Sequence, residues 1–113
     1  MHVAVHSFTP ELDGEVRNAE IGLLYDSRRK QEAELCRRWA ANLRRLDPGL
    51  RVRFNYPYSG AADGLTTALR QRHPETRYLG IELEINQALV GSKSWRRFQQ
   101  HVAEGLRELV PGS

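Results

Sequence analysis

Apolar residues in this chain change their period from segment to segment, and that alternation limits the folds open to it. Between residues 30 and 46, Cys36, Trp39, Ala40, Leu43 and Leu46 recur every three or four positions, the period of a helix with one face turned inward. Asp26-Ser27 offers N-caps to this helix, and Asp47-Pro48-Gly49 ends it. Leu50, Val52 and Phe54 recur every second position, the period of a strand with one face wet or near the sheet edge. Leu79, Ile81, Leu83 and Ile85 form a second such series. Val3-Ala4-Val5-His6 reads as a short buried strand that stops before Pro10, which has no amide hydrogen to donate. Residues 11 to 19 are polar, with Asp13-Gly14 as a turn, and Ile21-Gly22-Leu23-Leu24-Tyr25 is short enough for a strand. Asp63 caps a short helix through Leu65, Ala68 and Leu69 that stops before Pro74. A last helix starts between Ser92 and Ser94, carries Trp95, Phe98, Val102, Leu106 and Leu109, and ends at Pro111-Gly112. Strands alternating with helices predict an α/β layered domain: a mixed or mostly parallel sheet of about four strands flanked by helices.

A chain of 113 residues is one domain's worth, and no linker divides it, so residues 1–113 read as a single α/β domain. With 40% hydrophobic and 27% charged residues, it has the composition of a folded globular chain. No apolar run is long enough for a membrane helix, and the N-terminus lacks the regions of a signal peptide, so no membrane partner is expected. One cysteine excludes an internal disulfide, and Cys36 falls on the buried stripe of the helix, where a small apolar residue belongs. A cytoplasmic location is the expectation. The net charge of +3 is dispersed. Arg28, Arg29, Lys30, Arg37 and Arg38 alternate with Glu32 and Glu34, which resembles a solvated helix face with Glu34 and Arg38 at i,i+4 spacing. No aromatic-rich motif accompanies these cations, so no nucleic-acid partner is expected.

Three strands end on polar residues that packing does not require: His6, Asn55 and Glu84. In open α/β sheets, ligands bind outside the carboxyl ends of strands. Glu82 and Glu84 are two apart in a strand and share a face. Their repulsion needs relief from a metal, an arginine or solvent, and they read either as a solvated sheet edge or as a site with a general base. His6 reads either as a hydrogen-bonded strand residue or as a neutral imidazole ligand. His2 shares its face, but four residues of strand separate the two by ~13 Å, so they cannot share one ion. His101 and Glu104 have helical i,i+3 spacing but sit among polar neighbours, as on a solvated face. Ser59 to Gly64 lacks the lysine and spacing of a phosphate-binding loop.

Several blocks occur in a specific order. They are Val5-His6-Ser7-Phe8-Thr9-Pro10, Arg17, Ile21 to Asp26, Asn55-Tyr56-Pro57-Tyr58-Ser59-Gly60, Asp63-Gly64-Leu65-Thr66 and Gly80 to Leu89. Together they resemble the N-formylglutamate amidohydrolase family. The resemblance implies a fold related to the zinc exopeptidases, with this chain corresponding to the C-terminal part. It implies a hydrolase that cuts a formyl or related acyl group from an amino acid nitrogen. In that family His6 matches a zinc ligand, and Glu84 matches the carboxylate that acts as general base. Ser7, Arg17, Asn55, Tyr58 and Glu82 then fall near the substrate, with Arg17 suited to its carboxylate. The family's other zinc ligands belong to an N-terminal motif with no counterpart here. The expected partners are therefore a small N-acyl amino acid substrate and either a homo-oligomer or a complementing N-terminal half. Asn86 and Ala88 stand where relatives carry a cationic and an acidic residue, so the substrate is N-formylglutamate or a related N-acyl amino acid. The alternative is a non-catalytic, partner-binding or self-associating module of the same fold. The resemblance further implies that His6 and Glu84 lie side by side.

Overall fold

One strand, β6 (Gly80–Asn86), is buried at six of its seven positions, and the rest of the sheet is ordered around it. The computed structural model describes residues 1–62 and 64–109. The cap expected of Asp63 and the stop expected of Pro111-Gly112 lie outside them. Along one side of β6 runs β1 (His2–Phe8), parallel and in register over all seven residues, from His2 opposite Gly80 to Phe8 opposite Asn86. On the other side β4 (Ile21–Leu24) runs antiparallel to β6, and β5 (Val52–Phe54) runs parallel to β4. The sheet is thus mixed, in the order β1-β6-β4-β5. The fold is α/β, and among the described residues this four-stranded sheet is flanked by three α-helices: α1 (Lys30–Leu46), α2 (Gly64–Arg72) and α3 (Trp95–Arg107).

The alternation of side chains along each strand decides what each face carries. One face presents Ile21, Leu23, Ile81 and Leu83 to Cys36, Trp39, Ala40 and Leu43 of α1 and to Phe98 of α3, and this is the core. The stripe expected on α1 is therefore the one that is buried. Burial pushes the Cys36 thiol up to about 12, so it is not a thiolate at neutral pH. The other face carries Gly22, Leu24, Glu82 and Glu84. It is covered by α2, whose buried residues are Thr66 and Arg70, and by the loop from Asn55 to Gly60.

Four expectations need correction. The first strand is not a buried one. β1 is the sheet edge, with Val5, His6 and Ser7 exposed, because a run of small and apolar residues reports one packed face and not a central position. The polar run is not all loop: the expected turn at Asp13-Gly14 is there, but it joins a hairpin, β2 (Glu11–Leu12) and β3 (Glu15–Val16). Asp13 and Gly14 turn it with φ of 52° and 79°, both left-handed as a tight two-residue hairpin turn requires. Asp26 does not cap α1. Its Oδ1 accepts from the Arg28 amide at 3.0 Å, the N-cap position is Arg29, and the helix begins at Lys30. The Arg28 guanidinium hydrogen-bonds the same carboxylate and holds it below its usual pKa. Finally, Glu32 is not part of a solvated face, and Glu34 pairs with Arg37 at 2.7 Å, not with Arg38.

Glu32 is fully buried and ion-paired with Arg70 at 3.0 Å. Its Oε1 accepts from the Asp26 amide at 3.0 Å and its Oε2 from the Gly80 amide at 3.1 Å. Arg70 donates from Nη1 to the Gly60 carbonyl at 3.1 Å and from Nη2 to the Gly80 carbonyl at 2.8 Å. Removing one partner of such a pair leaves a buried charge uncompensated, at a cost of about 3–5 kcal/mol. Glu32→Ala is therefore expected to lose that much in urea unfolding, while the double replacement Glu32→Leu/Arg70→Met loses less. A single variant with wild-type stability would show that solvent reaches the pair.

Candidate active site

In register across the sheet, His6 of β1 faces Glu84 of β6, which faces Gly22 of β4, which faces Arg53 of β5. Residues paired in this way point to the same side, so His6 and Glu84 are neighbours on the face opposite α1 and α3, one strand spacing of ~4.8 Å apart. Ala4 and Glu82 form the next such pair. Glu82 and Glu84 are each 5% exposed, which removes the solvated-edge reading of this pair. His6 is exposed.

Gly22 interrupts this row for a steric reason. A Cβ there would stand 1.7 Å from the Tyr56 carbonyl oxygen, so only glycine lets the loop after β5 cross the sheet. The loop is held from below by Asn55. Its φ is 49°, a left-handed conformation that asparagine tolerates, and its Oδ1 accepts from the Tyr25 and Gly60 amides, each at 3.0 Å. The Tyr56–Pro57 peptide is cis. Tyr56 then packs edge-on against Phe8, stacks under the Arg53 guanidinium at 4.1 Å and accepts a 3.1 Å hydrogen bond from the Asn18 amide.

The same loop brings Tyr58 to Arg17. The Arg17 guanidinium lies 5.2 Å from the Tyr58 ring and 5.9 Å from the Phe8 ring, and its Nη2 donates to the Tyr58 hydroxyl at 3.2 Å. Phe8 is two residues beyond His6 on the same strand face, so Arg17 stands beside the residue that follows the His6–Glu84 pair along that face. Its segment is fixed by Asn86, whose Nδ2 donates to the Arg17 carbonyl at 3.3 Å and the Ala19 carbonyl at 2.9 Å. Ser7 points to the other face, where its Oγ accepts from Gln87 Nε2 at 3.2 Å.

His6, Glu84, Glu82, Arg17 and Tyr58 are thus gathered on one face. Asn55 is not at the same end of the sheet, because β5 runs antiparallel to β1 and β6, so its carboxyl end points the other way. Sequence reasoning missed Tyr56, Phe8 and Asn86. An aromatic or an amide gives no periodic signal when its partners are 40 to 70 residues away. A cavity of about 370 Å³ lined by Asp26, Arg28, Arg29 and Arg70 lies elsewhere, and its charges are engaged with Glu32, with each other and with backbone carbonyls. His101 approaches Asp47, at 3.9 Å, while Glu104 pairs with Arg107.

A catalytic zinc takes three protein donors. Among the described residues no group of three or more His, Cys, Asp or Glu side chains is arranged to hold a metal ion. The residues of one chain therefore do not fit a zinc ion by themselves. No helix among the described residues is long and apolar enough to cross a membrane.

Gly22→Ala is expected to dislodge the loop at Tyr56 and to cost about 1–3 kcal/mol or more, the range for overpacking. Denaturant unfolding followed by tyrosine and tryptophan fluorescence would check this. A fully stable variant would mean that the loop does not need to cross the sheet there.

The chain is similar to known proteins in sequence and in fold. The family model for N-formylglutamate amidohydrolase matches residues 1–90. The crystal structure of a gene product from Agrobacterium tumefaciens is similar, with 29% sequence identity and a TM-score of 0.61. That match covers 95% of this chain and 42% of the other, so the chain spans less than half of its relative's length. No curated protein matches the chain.

Proposed function

This chain belongs to the N-formylglutamate amidohydrolase family, and from that premise we propose that its sheet face is part of the site of an amidohydrolase acting on N-formylglutamate or a related N-acyl amino acid. The observation that carries the reading is the register of His6 and Glu84 on adjacent parallel strands. Hydrolysis of an amide needs a group that takes a proton from water and passes it to the leaving nitrogen. Glu84 is the carboxylate placed for that work. It stands on the central strand, where its backbone is paired on both sides.

The substrate's own carboxylate falls to Arg17, whose planar guanidinium matches it in a two-pronged pair. Tyr58 and Phe8 hold the arginine from its faces, which orients it without neutralising it. Asn55 acts as a positioning residue, because its carboxamide holds the loop that presents Tyr58. Glu82 shares the face of the pair, two residues before Glu84, whereas Ser7 lies on the opposite face and has no part in the site. His6 is the donor this chain contributes toward a zinc ion, and the remaining donors come from outside the single chain.

Replacing Glu84 with Gln is expected to lower kcat by about 10²–10⁴-fold, the usual worth of a general base, with unchanged circular dichroism. Arg17→Met is expected to raise KM for N-acyl glutamate more than it lowers kcat. Full activity in the Glu84→Gln protein would overturn the assignment. A second reading, a self-associating module without catalysis, is favoured by the exposed apolar edge at Val5. Zinc-supplemented protein that assembles yet hydrolyses no N-acyl amino acid would select it.

A further inference from the structure

The hairpin at residues 11–16 walls a cavity that the reaction described above does not use. Its ladder runs one pair past β3. Leu12 is opposite Glu15 and Glu11 opposite Val16, and the Arg17 amide then donates to the Pro10 carbonyl at 2.8 Å. Residues paired across a ladder, and residues two apart along an arm, share a face, so Leu12, Glu15 and Arg17 stand on one side of the hairpin. That side meets the loop laid across the sheet. Between the two lies a cavity of about 200 Å³ lined by Leu12, Asp13, Glu15, Arg17, Tyr56 and Pro57.

The lining is charged with opposite sign at its two ends. At one end the Arg17 guanidinium hydrogen-bonds to neutral partners, the Tyr58 hydroxyl at 3.2 Å and the Thr9 carbonyl at 3.4 Å, which leaves its charge for a ligand. At the other end are Glu15 and Asp13, the latter held in the hairpin turn. Among the described residues no cationic side chain forms an ion pair with either carboxylate. Leu12, Tyr56 and Pro57 supply the apolar wall between, a surface that the methylenes of a long charged side chain cover well. A ligand that answers this lining is anionic at one end, cationic at the other and aliphatic in the middle.

The spacing sets the length of that ligand. Glu15 and Arg17 are two residues apart on one arm of the hairpin, a separation of ~7 Å. In an amino acid of the lysine, ornithine or arginine kind, the extended side chain carries its charge about 6–7 Å from the carboxylate. Glutamate held at Arg17 would instead turn its second carboxylate toward Glu15, where like charges repel.

We infer that this cavity is the side-chain subsite of the proposed amidohydrolase and that it selects N-acyl amino acids with a cationic side chain, held by Glu15 and Asp13 while Arg17 holds the carboxylate. The inference rests on the reading of Arg17 as the carboxylate receptor, but it is read by binding and needs neither metal nor turnover.

Nuclear magnetic resonance titration of the whole chain at low salt, with N-acetyl-arginine and N-acetyl-glutamate as probes, tests it. The arginine probe is expected to bind about five- to tenfold more tightly, the worth of two partly exposed ion pairs, and to shift amides at residues 12–17 and 56–57. Asp13→Asn/Glu15→Gln is expected to abolish the preference, and Glu15→Lys to reverse it. Asparagine tolerates the left-handed φ of 52° at position 13, so the turn is kept, and the same spectra report whether each variant is folded. Arg17→Met is expected to weaken both probes alike. Equal affinities in the wild-type chain would overturn the inference, as would no binding of either probe, shifts confined to other residues, or a preference that survives the double replacement. Equal affinities would leave the proposed function standing. A preference for the arginine probe beside full activity in Glu84→Gln would do the reverse.

Discussion

The ion pair between Glu32 and Arg70 is the contact on which the remaining arrangement depends. Four separate pieces of chain meet at it: the exit of β4 at Asp26, the first turn of α1, the end of α2 and the start of β6. α2 buries only Thr66 and Arg70. Its attachment is therefore polar, and a polar attachment specifies geometry more sharply than an apolar one, because each donor and acceptor has a direction. The buried charges are tolerated because each oxygen of Glu32 accepts a backbone amide as well as the guanidinium.

From that anchor the division of labour between the two faces follows. The face toward α1 and α3 is filled by aliphatic residues and supplies the apolar driving force. The opposite face has no such filling. It has carboxylates on β6, a glycine and Leu24 on β4 and a loop laid across it. Asn55, Asn86 and Tyr56 belong to this second face and act through hydrogen bonds to backbone. They place the cationic side chain of Arg17 beside the β1–β6 strand pair without adding to the core.

Much of the first face was legible in the chain itself. The 3.6-residue stripe from Cys36 to Leu43 and the alternation from Leu79 to Ile85 both survive in the structure, because periodicity reports burial directly. The pairing of His6 with Glu84 followed from the order of motifs, and its geometry needed the register of β1 on β6. The second face was harder to read. Glu32 looked like one charge among several on a helix, and nothing local marks it as buried, since its partner lies 38 residues away. The direction of β5 was equally hidden. Strand period is the same for parallel and antiparallel strands, so Asn55 appeared to end at the same edge as His6. The hairpin at residues 11–16 has only two paired residues on each arm, too few to set up a period.

The register of β1 also has a consequence for how the chain is made. Among the described residues β1 pairs with β6 alone, and its first residue pairs with a residue 78 positions later. At a synthesis rate of roughly 5–20 residues per second, an uncharged strand therefore emerges and waits on the order of 4–16 seconds before its only template exists. Contacts of such long sequence separation also slow folding itself, since closing the loop precedes any reward for closing it. Helix α1 and the β4–β5 pair can assemble during that interval, while β1, made first, still lacks a partner strand and is open to capture by another nascent chain.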